Sequence, residues 1–371
     1  MFADGFEVRD IDVFKNTLFF SGFLSTSLTT SVGFVAWADV NDFFDNGTFY
    51  FKRIEEVGII NKVKAYINNE KINLACLGGG CVIQVDMASD DYRISKIDTL
   101  DNYTEMHHDI IVYDKYILVS GYINDLIFNM YGWSIRMYDK SDISQSVPYK
   151  NMYIISNWGS LTYTNTSDLS FLIKSEDEKK LCLATRTTVQ VSDESTANVL
   201  SVFDFCIDYS GSLNYIMDGW GNRFDIVSPI PLSMLWDVDL CYGMDYNYDI
   251  VMLTYDGGNY ASVFNIDLND PVTDGCNIFT NSYIGMFSSI KTYKDNYFLS
   301  AGDLQWDLGL WDRNISITSN YCDVYDYTDV LQSTPRIEGQ YIPFEVVENN
   351  VLWEVYKADI LEFEYEIKCS Y

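Results

Sequence analysis

The chain is poor in histidine, proline and positive charge. Only two histidines occur in 371 residues, side by side at His107 and His108. Nucleophile activation by imidazole would therefore have to use this pair, in "EMHHDIIVYD", which reads as the entry to a strand with no catalytic role. Proline is limited to six residues, so long extended runs proceed without a break. Lysine and arginine total 24 against 54 acids, a formal net charge of −30. Counterion release by Lys and Arg drives binding to phosphate backbones, so this balance argues against a nucleic-acid binder. The charge reads first as a solubility device on a β-rich surface. No apolar run approaches the roughly eighteen residues of a membrane span. The start "MFADGFEVRDIDVF" has no basic segment leading into an apolar one, so no secretory signal is expected.

The usual chemical signatures are missing as well. There is no G-x-S-x-G elbow, no H-E-x-x-H, and no lysine after "CLGGGC" to complete a phosphate loop. "DVNDFFDNG" (39–47) and "DYNYD" (245–249) gather oxygen ligands without the spacing of an EF-hand, and read as solvated turns. Neither a cofactor nor a metal is expected. The eight cysteines, Cys76, Cys81, Cys182, Cys206, Cys241, Cys276, Cys322 and Cys369, are scattered, mostly inside apolar runs. They read as buried free thiols. Cys76 and Cys81 flank a Gly-rich hairpin turn, with no further ligands at zinc spacing.

Aromatic and β-branched residues are abundant. Tyrosine contributes 29 residues and phenylalanine 22, a composition suited to strands. The strands repeat. An apolar run ending in a small residue or glycine leads to a second apolar run ending on an acid. "NTLFFSGFL" leads to Asp39, "INLACLGGG" to Asp86, and "YILVSG" to Asp139. "KLCLATRTT" leads to Asp204, "DIVMLTYDGG" to Asn265, and "NYFLSAGD" to Asp312. "NNVLWEVY" followed by "ILEFEYE" places Glu364 in a weaker seventh slot. The slots lie on average about 54 residues apart, room for about four short strands and their turns.

This pattern predicts an all-β chain, a single β-propeller domain over 1–371 with four-stranded blades. Seven blades are favoured, with six as the alternative count. The last blade is closed either by the seventh unit alone or with help from "FEVRDIDV". Continuous apolar strands suit burial on both faces, and the glycines suit close backbone approach. The slot acids suit Asx turns that bond the following amides, a structural role. "KSEDEKK" (174–180) reads as the tip of a long hairpin.

The repeat is too degenerate for WD40 or kelch. It resembles the propellers of phage virions, of the nozzle or hub type found at the tail ends of short-tailed phages. That resemblance implies a structural, non-enzymatic virion component, made in the host cytoplasm, with a bacterial cytoplasmic protein as the alternative. Its partners would be other virion proteins or a symmetric homo-oligomer, with neither nucleic-acid recognition nor membrane insertion. An acidic wall would let DNA pass without gripping it. The competing reading is a glycan-binding or glycan-hydrolysing propeller using rim aromatics and paired carboxylates. Trp220, Trp236, Tyr246 and Tyr248 are the candidate partner-binding residues.

Overall fold

A computed structural model describes residues 6–25, 30–46, 48–89, 91–97, 103–125, 130–141 and 143, and beyond these the strands named below. The described chain is almost entirely antiparallel β-sheet. The first sheet is a meander of β1 (Phe6–Phe14), β2 (Thr17–Ser25), β3 (Ser31–Asp39) and β4 (Thr48–Ile54). The second repeats it with β5 (Lys62–Asn68), β6 (Lys71–Gly78), β7 (Cys81–Asp86) and β8 (Asp91–Lys96). The third uses β9 (Tyr103–Tyr113), β10 (Tyr116–Asp125), β11 (Met130–Asp139) and β12 (Met152–Ile155).

Three more sheets follow. One holds β13 (Leu169–Lys174), β14 (Leu181–Ser192) and β15 (Ser195–Ile207), with β16 (Leu213–Tyr215) and β17 (Phe224–Val227) both on β15. The next holds β18 (Met234–Tyr242), β19 (Tyr248–Tyr255), β20 (Tyr260–Ile266) and β21 (Thr273–Thr280). The sixth holds β22 (Phe287–Tyr293), β23 (Asn296–Ala301) and β24 (Asp307–Asp312). β13 and β14 pair up to Lys174 opposite Leu181, and the rest of "KSEDEKK" (175–180) lies outside the described residues.

The C-terminal strands depart from the expected seventh unit. β25 (Val324–Tyr327) adds to β21, β26 (Gln340–Tyr341) to β12, β27 (Trp353–Lys357) to β8 and β28 (Ile360–Glu364) to β4. Trp353–Lys357 and Ile360–Glu364 thus form fifth strands on existing sheets instead of a hairpin of their own. "FEVRDIDV" opens the first sheet as β1, opposite β2, and does not complete a terminal unit.

The first strands of the six sheets touch in sequence. β1 lies against β5, β5 against β9, β9 against β13, β13 against β18, β18 against β22, and β22 against β1. Where side chains are described, the second strands β2, β6 and β10 are buried on both faces, as their continuous apolar runs require. On β2, Leu18, Phe20 and Leu24 enter one core with Phe34, Phe43 and Phe49, while Phe19 enters another with Val63, Leu74 and Ile83. On β6 the same split sends Leu74 and Cys76 to one side, and Ala75 and Leu77 to a third core with Ile110, Ile117 and Tyr138. Each buried aromatic or branched side chain is worth about 1.5–3 kcal/mol by transfer, so the two-sided strands carry much of the cohesion.

One short helix, α1 (Val40–Asn46), occupies the "DVNDFF" segment read from sequence as a solvated turn. Phe43 is the reason. It is buried in the first core with its ring 6.0 Å from that of Phe20, which pulls the segment onto the sheet.

Glycine is required where the second strand comes closest to the backbone beside it, on the first strand for Gly22 and Gly121 and on the segment before it for Gly78. A Cβ on Gly22 would stand 1.8 Å from the Glu7 carbonyl oxygen, one on Gly78 2.2 Å from that of Ile59, and one on Gly121 2.6 Å from that of Met106. Such approaches are closer than any side chain tolerates. Gly22→Ala, Gly78→Ala and Gly121→Ala should each cost at least about 1–3 kcal/mol, with Gly22 the most severe. Denaturant midpoints measured at constant m-value check this, and an unchanged midpoint for Gly22→Ala would contradict it.

Candidate functional site

The slot acids come to equivalent places except Glu364, which ends β28 opposite Thr48 of β4 and marks no unit of its own. Asp39, Asp86, Asp139 and Asp312 are the last residues of β3, β7, β11 and β24. They pair across the ladder with Thr17, Asn73, Tyr116 and Asn296. Asp204 stands opposite Cys182 within β15, and Asn265 opposite Asp249 within β20. Where side chains are described, the carboxylate closes an Asx turn, as the sequence predicts. Asp39 Oδ1 accepts from Asn41 N at 2.9 Å, Asp86 Oδ1 from Ala88 N at 2.8 Å, and Asp139 Oδ1 from Ser141 N at 2.8 Å. The residue after each Asp also donates to the hairpin before it: Val40 N to Asn16 O and Lys140 N to Lys115 O in the turns, and Met87 N to Ile72 O at the start of β6.

These turns are the joints between neighbouring sheets. Lys52, buried on β4, donates through Nζ to Asp86 O at 3.0 Å and to Ser89 O at 2.5 Å. Its ammonium also stands 5.9 Å from the centroid of the Trp37 ring. One sheet further on, Lys140 O accepts from Gln84 Nε2 at 2.8 Å and from the Tyr66 hydroxyl at 3.2 Å. Gln84 Nε2 also donates to the Tyr66 oxygen at 2.5 Å, and burial pushes the Tyr66 hydroxyl well above its ordinary range. In both cases a buried polar group of one sheet caps carbonyls of the next sheet's turn.

A second charged seam links the first strands. Asp10 is fully buried on β1, and its Oδ2 accepts from Val63 N of β5 at 2.7 Å. Lys62 Nζ and Lys64 Nζ lie 3.7 and 3.6 Å from the same carboxylate. Two residues on, Asp12 Oδ2 accepts from Ala65 N at 2.7 Å, and Asp12 Oδ1 lies 3.6 Å from Lys291 Nζ of β22. Asp10 and Asp12 share one face of β1, because side chains alternate along a strand. The pair thereby reaches from β1 to β5 on one side and to β22 on the other.

The backbone repeats this frame. A register shift precedes Asp10, which then sits opposite Ser21 just before Gly22. A shift also accompanies buried Asp109, opposite Ser120 just before Gly121. Asp237 follows a shift in β18 and stands opposite Leu253, and Asp239 repeats the D-x-D spacing. Bulges of this kind re-aim side chains at a sheet edge. The sequence reading passed over Asp10, Asp12, Lys52, Lys62 and Lys64. Its available signals were the period-2 motifs "DID" and "KVK", which place like charges on one strand face.

The aromatic candidates are not brought together among the described residues. Trp236 occupies the register shift between Leu235 and Asp237, and Tyr248 opens β19 opposite Tyr242. Trp220 and Tyr246 lie outside the described residues. His107 stands opposite Gly121 in β9, with His108 at the shift, and both are half-buried. Cys76 and Cys81 are free, buried thiols on the β6–β7 hairpin, and burial raises both above the ordinary thiol range. Gly79 and Gly80 make that turn with φ of 58° and 70°, left-handed values that glycine adopts without strain. The side chains of the other six cysteines lie outside the described set.

Two outcomes follow from these contacts. Asp10→Ala should cost about 3–5 kcal/mol, because it removes a buried carboxylate beside Lys62 and Lys64 and leaves Val63 N without its acceptor. Asp10→Asn, which keeps an acceptor oxygen, should cost less; equal costs in chemical denaturation would contradict a bond to the amide. The hydrogen bond from Asn16 Nδ2, at 2.7 Å, holds Asp39 below the ordinary carboxylate range against desolvation, helped by the amides of Asp42 and Asn41. A depressed folded-state value means that the Asp39 contribution is complete above the unfolded value. It is lost as pH falls through the folded one. Carboxyl NMR should show a titration below that of a free Asp, and Asn16→Ala should move it upward; no movement would remove Asn16 as the cause.

Comparison of the chain with protein-family models, with curated proteins and with solved structures gives no match.

Proposed function

We propose that the chain is a six-bladed β-propeller serving as a structural and interaction scaffold, joining a larger assembly of the kind built at the tail ends of short-tailed phages. The observation that carries the architecture is the order of contacts among the first strands, β1–β5–β9–β13–β18–β22 and back to β1. Meandering sheets that touch in this order, with cores on both faces of their second strands, are what stacked blades require. Six sheets and C-terminal strands that join existing ones favour six blades over seven.

The scaffold reading rests on what the conspicuous charges do. Asp39, Asp86 and Asp139 close turns, Asp10 and Asp12 tie strands, and Lys52 caps a neighbouring turn. They serve cohesion. The net charge of −30 favours a surface from which nucleic acid slides away, consistent with a passage or collar in a virion. Its partners are other virion proteins or further copies of itself, over interfaces above about 1,000 Å².

Electron microscopy of the purified chain and of its native particle tests the proposal. Class averages should show a disc with six radial blades, and the particle should hold the disc at a symmetry-related position. An open array of sheets would overturn the architecture. A monomer that joins no assembly and turns over a glycan panel would overturn the role.

A further inference from the structure

The C-terminal strands follow an order of their own. β25 pairs with the fifth sheet, β26 with the third, β27 with the second and β28 with the first. The segment thus runs back along the sheets in reverse chain order, adding a fifth strand at the outer edge of four of them. We propose that the outer edges of β8 and β4 are strand-acceptor sites specific for residues 353–357 and 360–364 respectively, filled by the chain's own strands and able to take the same strands from a second copy.

Three observations support this. First, an outer strand edge presents a row of N–H and C=O groups that must be paired, and it accepts any strand of compatible register. Second, the registers are specific. Lys357 stands opposite Asp91, Tyr356 opposite Tyr92, and Val355 opposite Arg93 on β8. On β4, Phe363 stands opposite Phe49 and Leu361 opposite Phe51. The acceptor side is firmly seated, with Tyr92, Phe49 and Phe51 buried. Third, the donor lies far along the chain from its acceptors, so that Ile360 meets Lys52. No short connection obliges the pairing to be intramolecular. A second copy offers the identical edges, and exchange of an identical element between protomers costs little. The inference depends on the strand pairings alone and is independent of blade number and of the virion reading.

Proline scanning in the full-length chain tests it. In an antiparallel ladder, successive residues direct their N–H groups alternately toward and away from the partner strand. Within each adjacent pair, Val355→Pro with Tyr356→Pro and Leu361→Pro with Glu362→Pro, one proline should therefore break the ladder and the other be tolerated. The disruptive member should bind a labelled peptide of residues 350–366 at least about tenfold more tightly than the wild type, whose acceptor edges are occupied. At high concentration it should not dimerise through its own damaged strand. Mixed with wild type, it should capture a wild-type segment in a heterodimer on size exclusion. Two prolines of a pair that behave alike, or a peptide that binds wild type and variants equally, would overturn the proposal. Should the disruptive variants fail to fold by circular dichroism, hydrogen exchange on the wild type decides. Amides along 353–357 and 360–364 should alternate in protection by at least about tenfold, and uniform exchange would overturn the proposal.

Discussion

Everything in this fold depends on how one sheet meets the next at its first strand. A first strand pairs with only one neighbour in its own sheet, so its other edge carries amides that need acceptors. β1 answers this for β5 with side chains. The carboxylates of Asp10 and Asp12 take the amides of Val63 and Ala65, two residues apart on each strand. The D-x-D spacing thus matches the period of the edge it satisfies. Lys62, Lys64 and Lys291 balance the buried charge and extend the tie to β22. A buried ion pair adds little net stability against an apolar replacement, but its loss on one side is costly. Such pairs fix which strand lies beside which, more than they deepen the free-energy minimum.

The second joint lies at the turn that follows each third strand. Each slot Asp organises its turn internally through an Asx bond. The turn's free carbonyls are then reached from the preceding sheet, by Lys52 in one case and by Tyr66 and Gln84 in the next. Between the two joints run the second strands, whose alternate residues enter separate cores. Apolar burial supplies the cohesive energy, while the polar joints set the stacking register. The glycines at positions 22, 78 and 121 let neighbouring backbone approach the second strand with no Cβ in between.

Much of this was legible in the sequence. The apolar runs ending on Asp39, Asp86 and Asp139 carry the period of the fold. Their reading as Asx turns needed only the local chemistry of a short acid at a strand end. The glycine after Ser21 and Ser120 signalled close approach for the same local reason. What escaped was non-local. Lys52 and Lys62 look like surface residues in a linear reading, and only their partners on other sheets explain their burial. The last strands mimic another repeat in composition, yet they pair with residues near the start, because strand propensity does not encode a partner. Phe43 turned an acidic segment into a helix through a contact with Phe20 that spacing alone does not reveal.

Amide hydrogen exchange at Val63 and Ala65 tests the central claim most directly. Both amides point away from their own sheet, so without carboxylate acceptors they would exchange like any exposed strand edge. The account predicts protection comparable to the ladder amides of β6, lost at Val63 in Asp10→Ala and at Ala65 in Asp12→Ala under conditions where the rest of the sheet remains protected. Rapid exchange at both positions in the wild-type chain would contradict it.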